Sequence, residues 1–492
     1  MSAYPKTRRS GTAAGDPATG GYICAGGWRI WMRLEGRPAV AVDSYDLVIV
    51  GAGSGNTLPA DTFAGWRIAI VEANRFGGTC LNRGCIPSKM LVYTADVAQA
   101  VRHAGRFGIG AEWAGADWPA IRDRVFGRLD PLSDRAVAHR RADGIDVFTG
   151  AARFLAPKVL RVGDDELRAD RFVLATGSRP RIPPIPGLAE VPYRTSDDIM
   201  RLDTLPRSMT VLGGGYIAAE MSHVFGSLGT SVTIVERGQH LLARHDVDIR
   251  ARFTEHYSER FDLQLSSVVQ RVSAAGTGVS LELGTPSGTR WVDAEVLLVA
   301  AGRTPNSDLL DVAAAGIEVD VHGHVRTDDT MQTNVPGIWA LGDLANHFQL
   351  KHMANAEARI VWHNIAHPDQ PRKAAFPVVP AAVFADPQVA SAGATEQDLQ
   401  AQGRHYIAAT RPYRDTAYGW ALQDTTSLVK VLADPETRLL LGAHIIGPQA
   451  SLLIQPLVQA RCLGNPVEEV ASGVLYIHPA LTEVVEQALL KL

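Results

Sequence analysis

A continuous apolar run at residues 46–50 is followed at once by a glycine-rich segment at residues 51–56. Unbroken apolar runs are typical of parallel strands that are buried on both faces. Glycines after such a strand let backbone amides and a helix N-terminus approach a pyrophosphate. The pattern therefore predicts a dinucleotide-binding turn at Gly51, Gly53 and Gly55.

Asn56 departs from the usual fingerprint, because it stands at the position of the third glycine. This departure leaves open how closely the following helix packs, but it does not affect the phosphate contact. A second apolar run, at residues 67–72, ends in Glu72, where an acidic side chain would hold a ribose diol. Taken alone, Glu72 could be a solvated residue at the end of a strand. The glycine turn before it favours ribose binding instead.

The order of strand, glycine turn and helix returns at residues 209–220, where Gly213 and Gly215 form the turn. Ala218 takes the third position of the fingerprint, at which alanine is permitted. Two such units in one chain imply that two dinucleotides bind.

The end of the next strand, at residues 230–237, bears on the choice of nicotinamide cofactor. Glu236 would suit the free 2′-hydroxyl of NADH, whereas Arg237 and Arg244 would suit the 2′-phosphate of NADPH. The pattern permits both cofactors. We predict NADPH with a modest preference and keep NADH as possible.

Helical periodicity at residues 90–104 and 119–142 predicts two helices after the first unit. A strand and a glycine turn at residues 171–178, followed by several prolines, indicate a crossing between domains. From about residue 376 the chain turns to short β-rich runs, and an apolar helix is predicted at residues 451–462. Because that helix is apolar on more than one face, it requires a packing partner.

The chain has 492 residues, which is too long for one hydrophobic core and predicts about three domains. Its 46% hydrophobic and 20% charged residues are ordinary for a globular protein. A net charge of −4 gives no sign of nucleic-acid binding. The sequence contains no apolar run of about eighteen residues, so no membrane span is predicted. Residues 1–43, rich in small residues, proline and arginine, are predicted to be a disordered extension, with Met32 as a candidate start.

Two of the four cysteines, Cys80 and Cys85, lie close together in a glycine-rich segment. Residues with this spacing are about 8.6 Å apart at Cα on a regular helix, whereas a disulfide requires about 7 Å or less. Gly84 allows a tighter turn, and Pro87 predicts that the helix begins after Cys85. We therefore expect a short, reducible loop disulfide, which suits a catalytic role in a reducing cytoplasm.

A zinc site and a pair of unpaired thiols are the alternatives for this segment. Zinc would need two further ligands, and the nearest histidine, His103, stands alone, so we predict no metal. Unpaired thiols are common in protein cores, and the spacing alone leaves them open.

Residues 77–89 resemble the redox-active segment of the flavoprotein pyridine nucleotide-disulfide oxidoreductases. This family includes dihydrolipoamide dehydrogenase, glutathione reductase, mercuric reductase and mycothione reductase, and the resemblance runs from about Tyr45 to the C-terminus. Within the family, the stretches most similar to the mycothione reductases are residues 51–56, 125–131, 350–355, 417–421 and 454–457.

The resemblance implies an α/β fold with two Rossmann-like dinucleotide-binding domains, one for FAD and one for NAD(P), and a C-terminal α+β dimerisation domain. The implied boundaries are 44–187 for the FAD domain, 188–305 for the NAD(P) domain, 306–373 for the second part of the FAD domain and 374–492 for the dimerisation domain. The resemblance also implies cofactor contacts by a further set of residues: Gly78, Thr79, Thr176, Gly177, Gly302 and Asp343.

Three residues have implied roles at the junction of the two cofactors. Tyr216 resembles the residue that gates the nicotinamide pocket, and Glu220 resembles the partner of Lys89, which would stabilise negative charge on the flavin. Without the resemblance, Tyr216 could equally be a buried aromatic residue and Glu220 an ordinary acid on a helix surface.

The resemblance also implies the course of the reaction. Hydride passes from the nicotinamide to the flavin, which reduces the bridge between Cys80 and Cys85. Cys85 then persists as a thiolate while Cys80 attacks the substrate disulfide. His478, oriented by Glu483, protonates the departing thiol. His478 would serve the cysteines of the other subunit, so the protein would be a homodimer with shared active sites.

We accordingly predict a cytoplasmic enzyme that uses FAD and NADPH to reduce a low-molecular-weight disulfide, with mycothiol disulfide as the first candidate. Dihydrolipoamide dehydrogenase activity with NAD is the alternative within the family. A non-catalytic flavoprotein is disfavoured, because a binding module needs none of Cys80, Cys85, His478 and Glu483.

Overall fold

The computed structural model describes residues 42–492, so the predictions for residues 1–41 lie outside the described residues. Residues 42 and 43 belong to the first strand and not to the predicted extension. The elements of the first half are β1 (Val42–Val50), β2 (Ile68–Glu72), α1 (Gly78–Asn82), α2 (Cys85–His103), α3 (Trp118–Ala142), β3 (Asp146–Thr149), β4 (Ala152–Ala156), β5 (Val159–Val162), β6 (Asp165–Leu174), β7 (Ser178–Pro180), β8 (Ser208–Leu212), α4 (Tyr216–Leu228) and β9 (Ser231–Val235).

The remaining elements are α5 (Val247–Arg260), β10 (Asp262–Gln264), β11 (Val268–Ala275), β12 (Gly278–Thr285), β13 (Gly288–Ala294), β14 (Val296–Val299), β15 (Arg303–Pro305), β16 (Ile338–Ala340), α6 (Lys351–Ala366), β17 (Ala381–Val383), β18 (Val389–Gly393), α7 (Glu396–Ala401), β19 (Ile407–Pro412), α8 (Ala417–Leu422), β20 (Leu428–Ala433), β21 (Leu440–Ile446), α9 (Ala450–Leu463), α10 (Val467–Ser472) and α11 (Thr482–Leu489). No helix within residues 42–492 has both the length and the apolar character needed to cross a bilayer.

The first sheet has the order β3-β2-β1-β6-β5-β4, and β16 also pairs with β6. Its central strand β1 is parallel to β2 on one side and to β6 on the other. Leu47 and Ile49 belong to the core on one face, and Val48 and Val50 belong to the core on the other. Burial on both faces explains the unbroken apolar run in the sequence.

The chain leaves the first sheet for the second dinucleotide unit and later returns through β16, which is parallel to β6. The second unit is built on the parallel sheet β10-β9-β8-β14, beside the antiparallel sheet β11-β12-β13. The antiparallel pair of β7 and β15 lies at the two crossings between the units. This arrangement is the predicted α/β fold with two dinucleotide-binding units.

The C-terminal region contains the five-stranded antiparallel sheet β17-β18-β21-β20-β19, which is covered by helices. The helix predicted at residues 451–462 is α9, and its Leu453, Ile454 and Leu457 are buried in the core of this region. On its other side, Leu452 and Leu463 are each 68% exposed. The helix therefore has apolar side chains on its outer face, as the sequence indicated.

The region after the first glycine turn differs from the expected strand, turn and helix. Two 3-10 helices, Ser54–Thr57 and Ala60–Phe63, occupy the place of a regular helix, because Pro59 and Gly65 interrupt the short stretch before β2. Asn56 is held by α3, where the buried Arg140 donates from Nε to Asn56 Oδ1 at 2.7 Å. A polar anchor therefore replaces the packing contact that the third glycine usually permits.

Candidate active site

A cavity of about 350 Å³ lies where the carboxyl end of β1, the start of α2, the start of α4 and the turn after β16 converge. Ligands of α/β proteins bind at the carboxyl ends of parallel strands, so this position is the expected one. The residues of the sequence prediction that line it are Gly51, Gly53, Glu72, Gly78, Thr79, Cys80, Cys85, Lys89, Thr176, Gly177, Tyr216, Glu220 and Asp343. The predicted residues outside its lining are Gly55, Gly213, Gly215, Glu236, Arg237, Gly302, His478 and Glu483.

The cysteine segment is tied to the first glycine turn by a close backbone approach. A Cβ atom on Gly78 would lie only 2.7 Å from the Cα atom of Gly53, and the positive φ of 64° at Gly78 also favours glycine. Asn82, at the end of α1, donates from Nδ2 to the carbonyls of Phe76 and Gly78, each at 3.0 Å. These contacts hold the cysteines against the turn that would bind a pyrophosphate.

The two cysteines lie on two helices and not in a loop. Cys80 is in the short helix α1, the chain breaks its helical course at Arg83 and Gly84, and Cys85 is the first residue of α2. The helix therefore begins at Cys85, one residue earlier than Pro87 suggested, because proline is tolerated throughout the first turn. The predicted departure from one regular helix is observed, and both cysteines are free thiols in this structure.

The two thiols have opposite pKa shifts. A hydrogen bond from the Cys80 thiol lowers the pKa of Cys85 to about 7, although burial opposes the shift, and the Lys89 ammonium lowers it further. The same hydrogen bond raises the pKa of Cys80, and burial raises it further. The N-terminus of α2 also favours an anion at Cys85. Cys85 is therefore the first of the pair to become a thiolate.

Lys89 and Glu220 join α2 to α4 beside the cysteines. Lys89 Nζ lies 2.7 Å and 2.8 Å from the two carboxylate oxygens of Glu220, which is only 4% exposed. Glu220 also accepts a hydrogen bond from the backbone N–H of Phe384 at 3.1 Å. Because the ammonium and the carboxylate neutralise each other, this pair adds little net charge to the cavity.

Tyr216 connects the two dinucleotide units, because it is the first residue of α4 and lines the cavity. The glycines immediately before it belong to the second unit. Gly213 has a φ of 117°, and a Cβ atom there would lie 2.5 Å from the carbonyl oxygen of Ala300. Gly215 is the N-terminal cap residue of α4. The N-terminus of α4 therefore borders both the second glycine turn and the cavity.

The predicted coenzyme-discriminating residues lie beyond the second turn. Glu236 Oε1 accepts a hydrogen bond from the backbone N–H of Gly238 at 2.8 Å. Arg237 and Arg244 are exposed, and within residues 42–492 neither guanidinium has a carboxylate within 4.0 Å. Both arginines are therefore available to an anionic ligand at this edge.

Gly302, which was also predicted to contact a cofactor, follows β14 and has a φ of 105°.

The turn after β16 places Asp343 in the cavity. Asp343 Oδ2 accepts a hydrogen bond from Ser178 Oγ at 2.7 Å, and Arg303 Nε donates to the same hydroxyl at 2.8 Å. Below this turn, Glu357 accepts from the backbone N–H of Gly342 at 2.7 Å. Burial raises the pKa of Glu357 to about 7, although the hydrogen bonds that it accepts oppose the shift. The sequence analysis assigned no role to Glu357, because an acid in a helix carries no signal of its burial.

Lys351, the first residue of α6, was also missed. It lines the cavity, and its Nζ donates to Ser54 Oγ at 2.9 Å. The residue lies in the stretch 350–355 that carries part of the family resemblance. That placement was the available signal, and the position of the ammonium in the cavity wall required the tertiary structure.

The cavity fits FAD. The hydroxyl of Thr176 is buried in its wall and has no hydrogen-bond partner within residues 42–492, so this hydroxyl can form a hydrogen bond with a ligand. Gly51 and Gly53 would hold the pyrophosphate, Glu72 the adenosine ribose, and Asp343 the ribityl chain. The described residues contain no cluster of three or more histidine, cysteine or acidic side chains that could hold a metal ion.

His478 and Glu483 form a separate pair near the C-terminus. His478 Nδ1 lies 2.8 Å from Glu483 Oε1, a residue in the first turn of α11. The His478 side chain is 72% exposed, whereas that of Glu483 is 13% exposed. The exposed hydrophobic residues Leu475 and Ile477 lie just before it in the chain. The histidine is thus presented on the surface, outside the cavity that contains the cysteines.

Family models match most of the chain. The model described as pyridine nucleotide-disulphide oxidoreductase matches residues 45–358, and the model of the dimerisation domain of that family matches residues 379–489. These matches confirm the predicted fold class.

Individual relatives are similar over nearly their whole lengths. Mycothione reductase from Mycobacterium tuberculosis is 44% identical over 462 residues, which cover 92% of this chain and 100% of the relative. Dihydrolipoyl dehydrogenase from Haloferax volcanii is 33% identical over 458 residues, which cover 90% of this chain and 95% of the relative. The solved structure of the Cu(II) complex of the HOCl-induced flavoprotein disulfide reductase RclA from Escherichia coli aligns with a TM-score of 0.80 and 27% identity, covering 91% and 99% of the two chains.

Proposed function

Because this chain belongs to the pyridine nucleotide-disulphide oxidoreductase family, and is therefore an oxidoreductase that uses FAD and a pyridine nucleotide, we propose that it reduces mycothiol disulfide with NADPH. The single observation that carries the disulfide chemistry is the pair of free thiols, Cys80 and Cys85, in the wall of one cavity. The choice of substrate rests on the 44% identity to mycothione reductase.

Bound FAD supplies a two-electron carrier between the pyridine nucleotide and the cysteine pair. The cysteines alternate between a disulfide and a dithiol. In the dithiol form, Cys80 loses its proton and attacks one sulfur of the substrate, which expels the other half as a thiolate. The Cys85 thiolate then attacks the Cys80 sulfur of the mixed disulfide, which releases the second thiol and restores the bridge. In the mixed disulfide Cys80 has no thiol proton to donate to Cys85, so the charge of Lys89 is the main cause of a lowered Cys85 pKa that remains for this second attack.

The departing thiolate needs a proton donor, and we assign this role to His478. Its hydrogen bond to Glu483 at 2.8 Å would orient the ring and stabilise the imidazolium form. Because His478 is exposed and lies outside the cavity of its own chain, we propose that it completes the site of a second subunit in a homodimer. The match to the dimerisation domain supports this assembly.

Subunit mixing tests the shared site. One chain carries Cys85→Ala and a differently tagged chain carries His478→Ala, so that each homodimer is inactive. A shared arrangement places both defects in one site of the heterodimer and leaves the other intact, which should return about half of the normal activity. A purified heterodimer with no more activity than its parents would exclude a shared site.

A parallel assay tests the substrate. Oxidation of NADPH and NADH is followed with mycothiol disulfide, glutathione disulfide and lipoamide, each at several concentrations, with Cys80→Ser as the inactive control. We expect the highest kcat/KM with mycothiol disulfide. The relatives named dihydrolipoyl dehydrogenase favour a second candidate, the oxidation of a dihydrolipoyl group with NAD, and a preference for lipoamide would support it over the first. The predicted cytoplasmic location remains a prediction.

A further inference from the structure

The cations that line the cavity differ in how they are neutralised. Lys89 has Glu220 at 2.7 Å, Arg83 has Asp197 at 3.3 Å, and Arg303 has Asp343 at 4.0 Å. Lys351 differs from these three, because within residues 42–492 it has no carboxylate within 4.0 Å. Its contact is the neutral hydroxyl of Ser54. Among the cations that line this cavity, Lys351 is therefore the one without a carboxylate partner within residues 42–492.

The position of Lys351 is set by two hydrogen bonds. Its Nζ donates to Ser54 Oγ at 2.9 Å, and the Ser54 hydroxyl in turn donates to Asn355 Oδ1 at 3.2 Å, one turn further along α6. These bonds tie the start of α6 to the first glycine turn. Because Lys351 is half-buried, its long side chain has little freedom to turn away from the cavity.

The two lysines differ in their effects on the two sulfurs. The charge of Lys89 lowers the pKa of Cys85, whereas the charge of Lys351, followed by that of Lys89, lowers the pKa of Cys80 against the larger opposing effects of Cys85 and burial. Burial lowers the pKa of Lys351 itself, and the nearby sulfurs of Cys80 and Cys85 oppose that shift. The electrostatic coupling between Lys351 and Cys80 is thus mutual.

We propose that Lys351 is a positioning residue whose ammonium, which has no carboxylate partner within residues 42–492, stabilises the thiolate of Cys80. The inference rests on the proposed function, in which Cys80 attacks the substrate. In that step the thiol proton of Cys80 leaves to a base or to water, and its sulfur bonds to one sulfur of the substrate disulfide. The other substrate sulfur leaves with the electron pair of the broken S–S bond, and Lys351 remains protonated throughout.

The test measures the pKa of Cys80 directly in FAD-containing enzyme that carries Cys85→Ser. This background removes the second thiol and its hydrogen bond, so that Cys80 is faced by Lys89 of α2, with Glu220 of α4 behind it, and by Lys351 of α6. Alkylation by iodoacetamide is measured against pH, and mass spectrometry resolves Cys80 from other cysteines. A low-molecular-weight thiol alkylated under the same conditions provides the control for reagent reactivity.

In this background, Lys351→Gln removes the charge but keeps a donor for Ser54. We expect the pKa of Cys80 to rise by about one unit, so that alkylation becomes about tenfold slower below the midpoint. Lys351→Arg should keep the original profile, because it keeps the charge. Ser54→Ala, which removes the hydrogen bond but not the ammonium, should also keep it.

Two outcomes would overturn the proposal: an unchanged profile in Lys351→Gln, or a shift of equal size in Ser54→Ala, which would assign the effect to structure. Flavin content is measured for each variant, and Lys351→Met replaces Lys351→Gln if the latter fails to retain FAD. The measurement needs no turnover of a disulfide substrate. A chain that fails to reduce mycothiol disulfide can therefore still show the coupling, and an active enzyme can still lack it.

Discussion

Substitution of Lys430, on β20, gives the strongest test of how buried charge stabilises this protein. Its ammonium lies 2.8 Å from Asp246, 2.6 Å from Asp248 and 2.6 Å from Glu396. Lys430 is 2% exposed, and Asp246 is 0% exposed. Asp246 is the N-terminal cap of α5 and follows the loop that carries Arg244. The cluster therefore joins the edge of the second dinucleotide unit to the C-terminal sheet.

Lys430→Met would leave Asp246 buried without its cation. Removing one partner of a buried ion pair costs roughly 3–5 kcal/mol. Asp246 retains the backbone N–H groups of Asp248 at 3.1 Å and Glu396 at 3.0 Å, so we expect the lower end, about 3 kcal/mol. At present, burial raises the pKa of Asp246, but the hydrogen bonds from Lys430 and from the Glu396 N–H lower it below its usual range. Without Lys430 that pKa rises, so the loss should shrink as the pH falls and Asp246 takes up a proton.

Equilibrium unfolding in urea measures the loss, provided that the transition is reversible and that its slope is unchanged. The matched control is Lys373→Met, because Lys373 is paired with Asp329 at 2.8 Å but both side chains are exposed, at 70% and 51%. We expect that control to change stability by less than about 1 kcal/mol. Adding Asp246→Asn to Lys430→Met should recover part of the loss. If Lys430→Met costs no more than the control, the buried charge is not a determinant of stability.

Further predictions concern the coenzyme, the thiols and a buried acid. Arg237→Gln should raise KM for NADPH far more than for NADH. The control Arg207→Gln, at an arginine whose side chain is 95% exposed, should change neither KM. An equal rise in KM for both coenzymes would contradict the assignment of Arg237 to the 2′-phosphate of NADPH. After two-electron reduction, Cys80→Ser should retain a long-wavelength thiolate-to-flavin absorbance and Cys85→Ser should abolish it, and the reverse pattern would mean that the thiol roles are exchanged. Because burial raises the pKa of Glu357 from 4.5 to about 7, this carboxyl contributes stability below pH 4.5 that is lost as the pH rises towards 7, by at most about 3 kcal/mol. Thermal unfolding of Glu357→Gln should lack this part of the pH dependence, and parallel profiles for the two proteins would contradict it.

Local patterns in the sequence were enough to predict the glycine turns and the irregular course of the cysteine segment. The apolar runs at β1 and β8 and the glycines after them predicted two dinucleotide turns, because strand burial and tight turns depend mainly on neighbouring residues. A disulfide between Cys80 and Cys85 would require a break in the helix, and a break is present at Gly84, although the two thiols are free in this structure. Even here the first turn was only partly predicted, since the residues after it form 3-10 helices.

The tertiary structure alone determined which charges meet and which are buried. Arg140 reaches Asn56 from a distant helix, Glu357 lies beneath Gly342, and Lys430 gathers carboxylates from two regions of the chain. Lys351 is the clearest case, because its sequence neighbours do not show that its ammonium lies in the cavity wall without a carboxylate beside it. The physical reason is that desolvation and Coulomb interactions depend on distance in space and on the surrounding dielectric, and packing between remote segments sets both.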